Sequence, residues 1–329
     1  MSMRLIIITF LLAVLAISPF TALQAQNAPA TSSLTEAPAA AHAAAKAEPA
    51  KEGLPPKAPT VFNIGPFPVT NSMLVTWIVA LGVIIFARIA TRQMKAVPDG
   101  AQNFWEFLVQ SLYDFLQEIV GADLIKKSFW FFATIFIFIF FTNWFGLVPG
   151  VGSFGWGHQT ADGFEVTRPW LRGGNADLNM TFAMAAIFMV VWFIWALQSQ
   201  GIMGFVMHIF GPKGDSEGAL KYFMIVVFFA VGFIEVLSIA FRPISLSFRL
   251  FGNVFAGENL LDAMSHAIQH PAWAKTVFSA VLPVPFYLLE LLVGFVQAIV
   301  FMLLTAVFTG VICMHDDDGH GHAAAKAHH

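Results

Sequence analysis

Within one long apolar stretch of the sequence stand residues that could bind and release protons. The segment Ser245-Leu-Ser-Phe-Arg249-Leu-Phe-Gly-Asn253-Val-Phe-Ala-Gly-Glu258 carries a cation, an amide and a carboxyl. Arg249 keeps its proton at any ordinary pH. A charge at membrane depth costs several kcal/mol unless a water-filled cavity or a partner compensates it. An arginine here therefore marks a functional site, unless it belongs to a structural ion pair or reaches out to the headgroups. Glu235, Arg242 and Arg249 recur every seven residues, which stacks them nearly one above another on a helix. Ser245, Gly252 and Asn253 widen this into one polar, small-residue stripe. Glu258 lies nine residues past Arg249, so it points to the opposite side, about 13 Å further along the axis. Glu290 and Gln297 are again seven apart on one face. A carboxyl toward each end, with an unprotonatable cation between, suits two aqueous inlets that meet at a barrier.

Long apolar helices must position these groups. Residues 73–90, 129–148 and 180–197 each approach the ~20 apolar residues that cross a bilayer. Asn143 is the most polar member of the second run, and Pro149-Gly150 ends it. From Tyr222 to Met264 the only strong break is Pro243. As one helix this stretch would be about 64 Å long, against a hydrocarbon thickness of about 30 Å. It must tilt steeply, bend at Pro243, or both. Residues 286–314 are over-long too, at about 44 Å. His270-Pro271 and the prolines at 283 and 285 separate the two, which read as a tilted helical hairpin. Between the first two spans, Trp105, Leu108, Leu112, Phe115 and Ile119 oppose Glu106, Gln110, Asp114 and Gln117. That pattern suits a helix lying in the membrane interface, or one docked on a soluble partner. The expected fold is an all-α membrane protein. It has about five crossing helices plus an interfacial amphipathic helix, and its last two crossings form the hairpin.

Composition agrees: 57% of the 329 residues are hydrophobic and 11% are charged, where a soluble domain carries roughly 25% charged residues. A net charge of -3 says little about partners, because so few charges are present; no nucleic-acid partner is expected. A single cysteine, Cys313, excludes an internal disulfide and a multi-cysteine zinc site. Residues 1–25 read as a signal peptide. Arg4 precedes the apolar core Leu5 to Ile17, Pro19 breaks it, and Ala22-Leu-Gln-Ala25 offers a cleavage site; a retained membrane helix is the alternative. Residues 26–60 form an Ala/Pro-rich tether and 61–314 the membrane domain. The His/Asp-rich tail 315–329 reads as solvated, since His–Gly runs lack a scaffold to hold a metal. His158, His266 and His270 fall in loops and take surface roles. No Gly-rich phosphate loop is visible, and no cofactor is expected. Lys and Arg cluster at 88–95, 126–127, 213 and 221. The positive-inside rule places these loops in the cytoplasm, with the mature N-terminus outside and the C-terminus inside.

At Phe248-Arg-Leu-Phe-Gly-Asn-Val-Phe-Ala-Gly-Glu258 and Leu291-Leu-Val-Gly-Phe-Val-Gln-Ala-Ile-Val-Phe301 the sequence resembles subunit a of the F-type ATP synthase. His208-Ile-Phe-Gly-Pro-Lys213 and Phe145-Gly-Leu-Val-Pro-Gly150 are also family-like, and the resemblance runs from about Leu74 to Met314. It implies a bacterial inner-membrane, non-catalytic stator subunit of the H⁺-transporting complex, coupling proton flow to rotation. Its partners would be the ring of c subunits, the subunit b peripheral stalk, membrane lipid and, indirectly, the F1 sector. Arg249 matches the essential arginine that faces the rotor ring, and Asn253 and Gln297 match polar residues near it. Glu258 matches the acidic position of the periplasmic half-channel, and Glu290 a position held by histidine or glutamate. Glu235 matches a polar position on the cytoplasmic side and Arg242 a basic one. Acids at both 258 and 290 depart from the histidine–acid pairing of some members. A secondary transporter or channel, with Arg249 as counter-ion to an anion, and a purely structural scaffold stay open. Transporters of the first kind show two similar halves, and no such repeat is seen. Co-purification with a c ring separates the three.

Overall fold

A computed structural model describes residues 58–314, except 66, 152–153, 161–162, 212–218, 266 and 268–271. The signal peptide, nearly all of the tether and the His/Asp tail lie outside the described residues, as do His266 and His270.

Among the described residues, five helices are long and apolar enough to cross a membrane. The chain opens with the antiparallel hairpin β1 (Thr60–Ile64) and β2 (Phe67–Thr70). Helix α1 (Asn71–Ala90) follows, its N-terminus capped by the Thr70 hydroxyl, which accepts from the Met73 amide at 3.4 Å. Helix α2 (Gly100–Val120) is the amphipathic element. Its packed stripe is Gln102, Trp105, Leu112, Leu116 and Val120, whereas Phe104, Phe107 and Phe115 are exposed. Phe115 thus lies outside the stripe that periodicity assigned it to. The helix has three sectors: one packed on the protein, one exposed and aromatic, and one polar at Gln110, Asp114 and Gln117. This three-way division fits an interfacial helix.

Gly121 alone separates α2 from α3 (Ala122–Gly146). Its φ of 84° and ψ of 159° lie in a region open essentially to glycine, so the chain turns there without a longer loop. A second hairpin, β3 (Gly155–Thr160) and β4 (Gly163–Pro169), joins α3 to the next span. The sequence reading contained neither hairpin. His158, read as a loop residue, lies in β3. Helix α4 (Leu178–Phe210) continues past the expected end at 197, but breaks at Gly201, where φ is 70° and ψ 171°. Helix α5 (Ala219–Ser265) runs unbroken through Pro243. At about 70 Å it must lie tilted across the bilayer. A short helix absent from the sequence reading, α6 (Ala272–Val281), leads into α7 (Pro283–Met314).

Helix α3 is the centre. Of its most apolar stretch 67% is buried, against 6% for α5. Phe131, Phe132 and Ile139 of α3 pack with Phe188 and Trp192 of α4 and Phe301 and Met302 of α7. Leu246, Leu250 and Val254 put one face of α5 on this core, and its most apolar stretch is left largely open.

Candidate functional site

Arg249 is exposed on α5 and makes no ion pair with any described residue. Ser245, Gly252 and Ala256 are exposed on the same side of the helix. These small residues leave the guanidinium above a shallow surface that a neighbouring helix could approach closely. One turn on, Asn253 Nδ2 donates to Gln297 Oε1 at 2.8 Å. This bond ties α5 to α7 beside the arginine, and Gln297 itself is buried.

The carboxyl residues occupy a separate cavity on the inner side of α5. Thr142, Asn143, Gly146, Leu147, Gly173, Val254, Glu258, Glu290 and Gly294 line it. Glu258 does point opposite to Arg249, as the nine-residue spacing requires. Glu290 is 6% exposed and lies against Gly257, where a Cβ would collide with its carboxyl group. Glu258 Oε2 lies 3.2 Å from Arg172 Nε. Asn143 reaches across the cavity wall: it donates to the Gly294 carbonyl at 2.9 Å and accepts from Asn175 Nδ2 at 2.7 Å. Gly294 lets α3 and α7 come this close, since a Cβ there would sit 3.1 Å from that of Asn143.

Residues 172–177 close the cavity, and all six are buried. Ser72 donates to Asp177 Oδ2 at 2.8 Å, and Asp177 Oδ1 accepts from the Asn179 amide at 3.0 Å, capping α4. The sequence reading above gave Arg172 and Asp177 no place in the site. The available signal was the run Arg172-Gly-Gly-Asn-Ala-Asp177: two glycines that permit close backbone packing, followed by short polar side chains that can satisfy it.

At the other end of α5 the expected single stripe divides. Arg242 stands over the Phe308 ring at 4.4 Å and near that of Trp192 at 5.8 Å, a cation–π placement that draws it onto α4 and α7. Arg249, seven residues on, has no such rings among the described residues and stays exposed. Glu235 is half-buried.

Residues 73–310 match the family model described as ATP synthase A chain. The chain is 30% identical to ATP synthase subunit a of Gloeobacter violaceus, over 79% of this chain and 90% of that one. It is 31% identical to ATP synthase subunit a of Helicobacter hepaticus, over 71% and 85%. With the chloroplastic subunit a of Oedogonium cardiacum the identity is 30%, over 76% and 85%.

Proposed function

The chain belongs to the ATP synthase A chain family, and on that premise we propose that the Arg249 face and the Glu258–Glu290 cavity are the working parts of a proton-driven rotary motor. The protein is a multi-pass membrane subunit of a larger complex and serves as the F0 stator in proton translocation. A secondary transporter is not favoured.

The carrying observation is an exposed arginine, with no ion pair among the described residues, on a helix whose most apolar stretch is left largely uncovered. Lipid alone would make that cation costly. A ring of c subunits, each presenting a carboxyl group, supplies the missing partner. Subunit b of the peripheral stalk holds the stator, and the F1 sector is reached only indirectly. The membrane is the bacterial inner membrane, with the mature N-terminus outside and the C-terminus in the cytoplasm.

Protons come from outside through the Glu258–Glu290 cavity. Beside it, buried Thr142 Oγ1 and Asn175 Oδ1 have no hydrogen-bond partner among the described residues, and such atoms suit ordered water. The proton passes to a rotor carboxyl, which crosses the lipid neutral. On its return it meets Arg249, whose fixed charge favours the ionised form. The proton then leaves past Glu235. Arg249 separates the two inlets because it can neither release its proton nor bind another.

Arg249→Ala tests this in vesicles holding a verified, assembled complex. ATP-driven pumping and ATP synthesis should both be lost, and a passive proton leak should appear. Assembled Arg249→Ala complexes that still pump would refute the proposal.

A further inference from the structure

Arg172, Glu258 and Glu290 are the charged groups at the carboxyl cavity among the described residues, and its two carboxyl groups are held very differently. Glu258 is bound on the loop side. Arg172 Nε lies 3.2 Å from its Oε2, and the Gly173 backbone packs against the same carboxylate. A Cβ on Gly173 would stand 2.5 Å from Glu258 Oε1, so the loop backbone closes on the carboxyl only because residue 173 is glycine. The Arg172 guanidinium also sits 5.8 Å from the Phe255 ring, on the turn of α5 preceding Glu258. Arg172 is 6% exposed. Its charge is permanent, and a buried charge persists only beside a counter-charge. Glu290 has no hydrogen bond or ion pair with any described residue. It faces the cavity and touches Gly257.

We infer that Glu258 is the fixed counter-ion of Arg172, and that Glu290 alone carries protons through this cavity. This division of labour rests on the inlet reading above. Protonating Glu258 would remove the anion bonded to buried Arg172, whereas protonating Glu290 breaks no contact with a described residue. Arg172 and Glu258 are then positioning residues. Together they anchor the 172–177 loop to α5 and shape the wall that Glu290 faces.

Pumping by assembled complexes in vesicles, normalised to subunit content, tests the inference. Glu290→Gln should lower pumping by about two orders of magnitude, the loss typical of a proton-transfer group. Glu258→Gln and Arg172→Gln should each impair it, because each strands the other partner. The decisive variant is the double one, Arg172→Gln with Glu258→Gln. It should pump about tenfold faster than Glu258→Gln alone, the coupling expected of directly bonded residues. A double variant no better than Glu258→Gln overturns the inference and leaves the inlet reading standing. Normal pumping by Glu290→Gln refutes the inlet reading itself.

A second measurement uses the unmodified complex. A protonated carboxyl adds across a C=N bond of a hydrophobic carbodiimide, and the acyl group then migrates from oxygen to nitrogen, so no atom is lost. Mass spectrometry of this chain should find the N-acylurea on Glu290 and not on Glu258. An adduct on Glu258, or none on Glu290, overturns the inference.

Discussion

Glu290 owes its position to its neighbour across the hairpin. Gly257 gives α5 no side chain where the Glu290 carboxyl lies, and this lets a carboxyl group sit between two packed helices beside a cavity. Gly257→Ala adds a methyl group that is favourable for a helix, by roughly 1 kcal/mol of propensity. The same methyl overlaps the carboxyl. The expected outcome is a stable, assembled complex in which pumping falls by about tenfold or more, as misplacement by an ångström can cost that much. Pumping rate per assembled complex is the measurement. An unimpaired Gly257→Ala variant would mean that Glu290 need not stay where the structure places it.

Among the elements, α7 is held from both sides. Its carbonyls at Leu291 and Gly294 accept from Trp144 and Asn143 of α3. Those at Phe308 and Ile312 accept from Trp192 and Gln200 of α4, at 3.1 and 2.7 Å. Four side-chain donors at the two ends fix the rotation of α7, and with it the direction of Glu290 and Gln297. Asn143→Ala removes one of these donors and also strands the buried Asn175 amide. A cost of about 1–3 kcal/mol is expected from the unsatisfied group, measured as lowered thermal stability of the solubilised complex. The break in α4 is a different device. Gly201 adopts a backbone that other residues avoid, yet its missing Cβ would meet open space. Gly201→Ala should therefore cost about 1–3 kcal/mol through the backbone alone, again read by thermal denaturation. A variant as stable as the parent would show that the break is not strained.

Over the whole molecule, burial is lopsided. The core lies among α1, α2, α3, α4 and α7, and α5 covers one edge with most of its surface free. A stator needs this asymmetry: a rigid packed side and one open helix against a moving partner. On the orientation proposed above, the loops carrying lysines and arginines at 88–95, 126–127, 213 and 221 face inside and the loop holding Asp162 faces outside. In a Cys313→Ser background, a cysteine replacing Asp162 should be labelled from outside by an impermeant reagent. One replacing Lys213 should be labelled only after permeabilisation. The reverse pattern would invert the protein in its membrane.

Apolar run length and charge placement are local properties, so the sequence by itself determined the spans, the interfacial helix and the hairpin of over-long helices. Helical phase is local as well, and it set Arg249 and Glu258 on opposite sides of one helix. The family motif around Arg249 was legible for the same reason, as a contiguous string. Other features depend on contacts between distant segments. The partner of Glu258 is Arg172, 86 positions away in the chain, and nothing in local periodicity separates a buried loop arginine from an exposed one. Arg242 and Arg249 share a spacing but not an environment, because aromatic rings on α4 and α7 reach only the first. Phe115 illustrates the same limit: periodicity finds an apolar position but cannot say whether lipid or protein meets it. Only tertiary packing, which brings 172–177 under α5 and Gly257 against Glu290, decided how the two carboxyl groups differ.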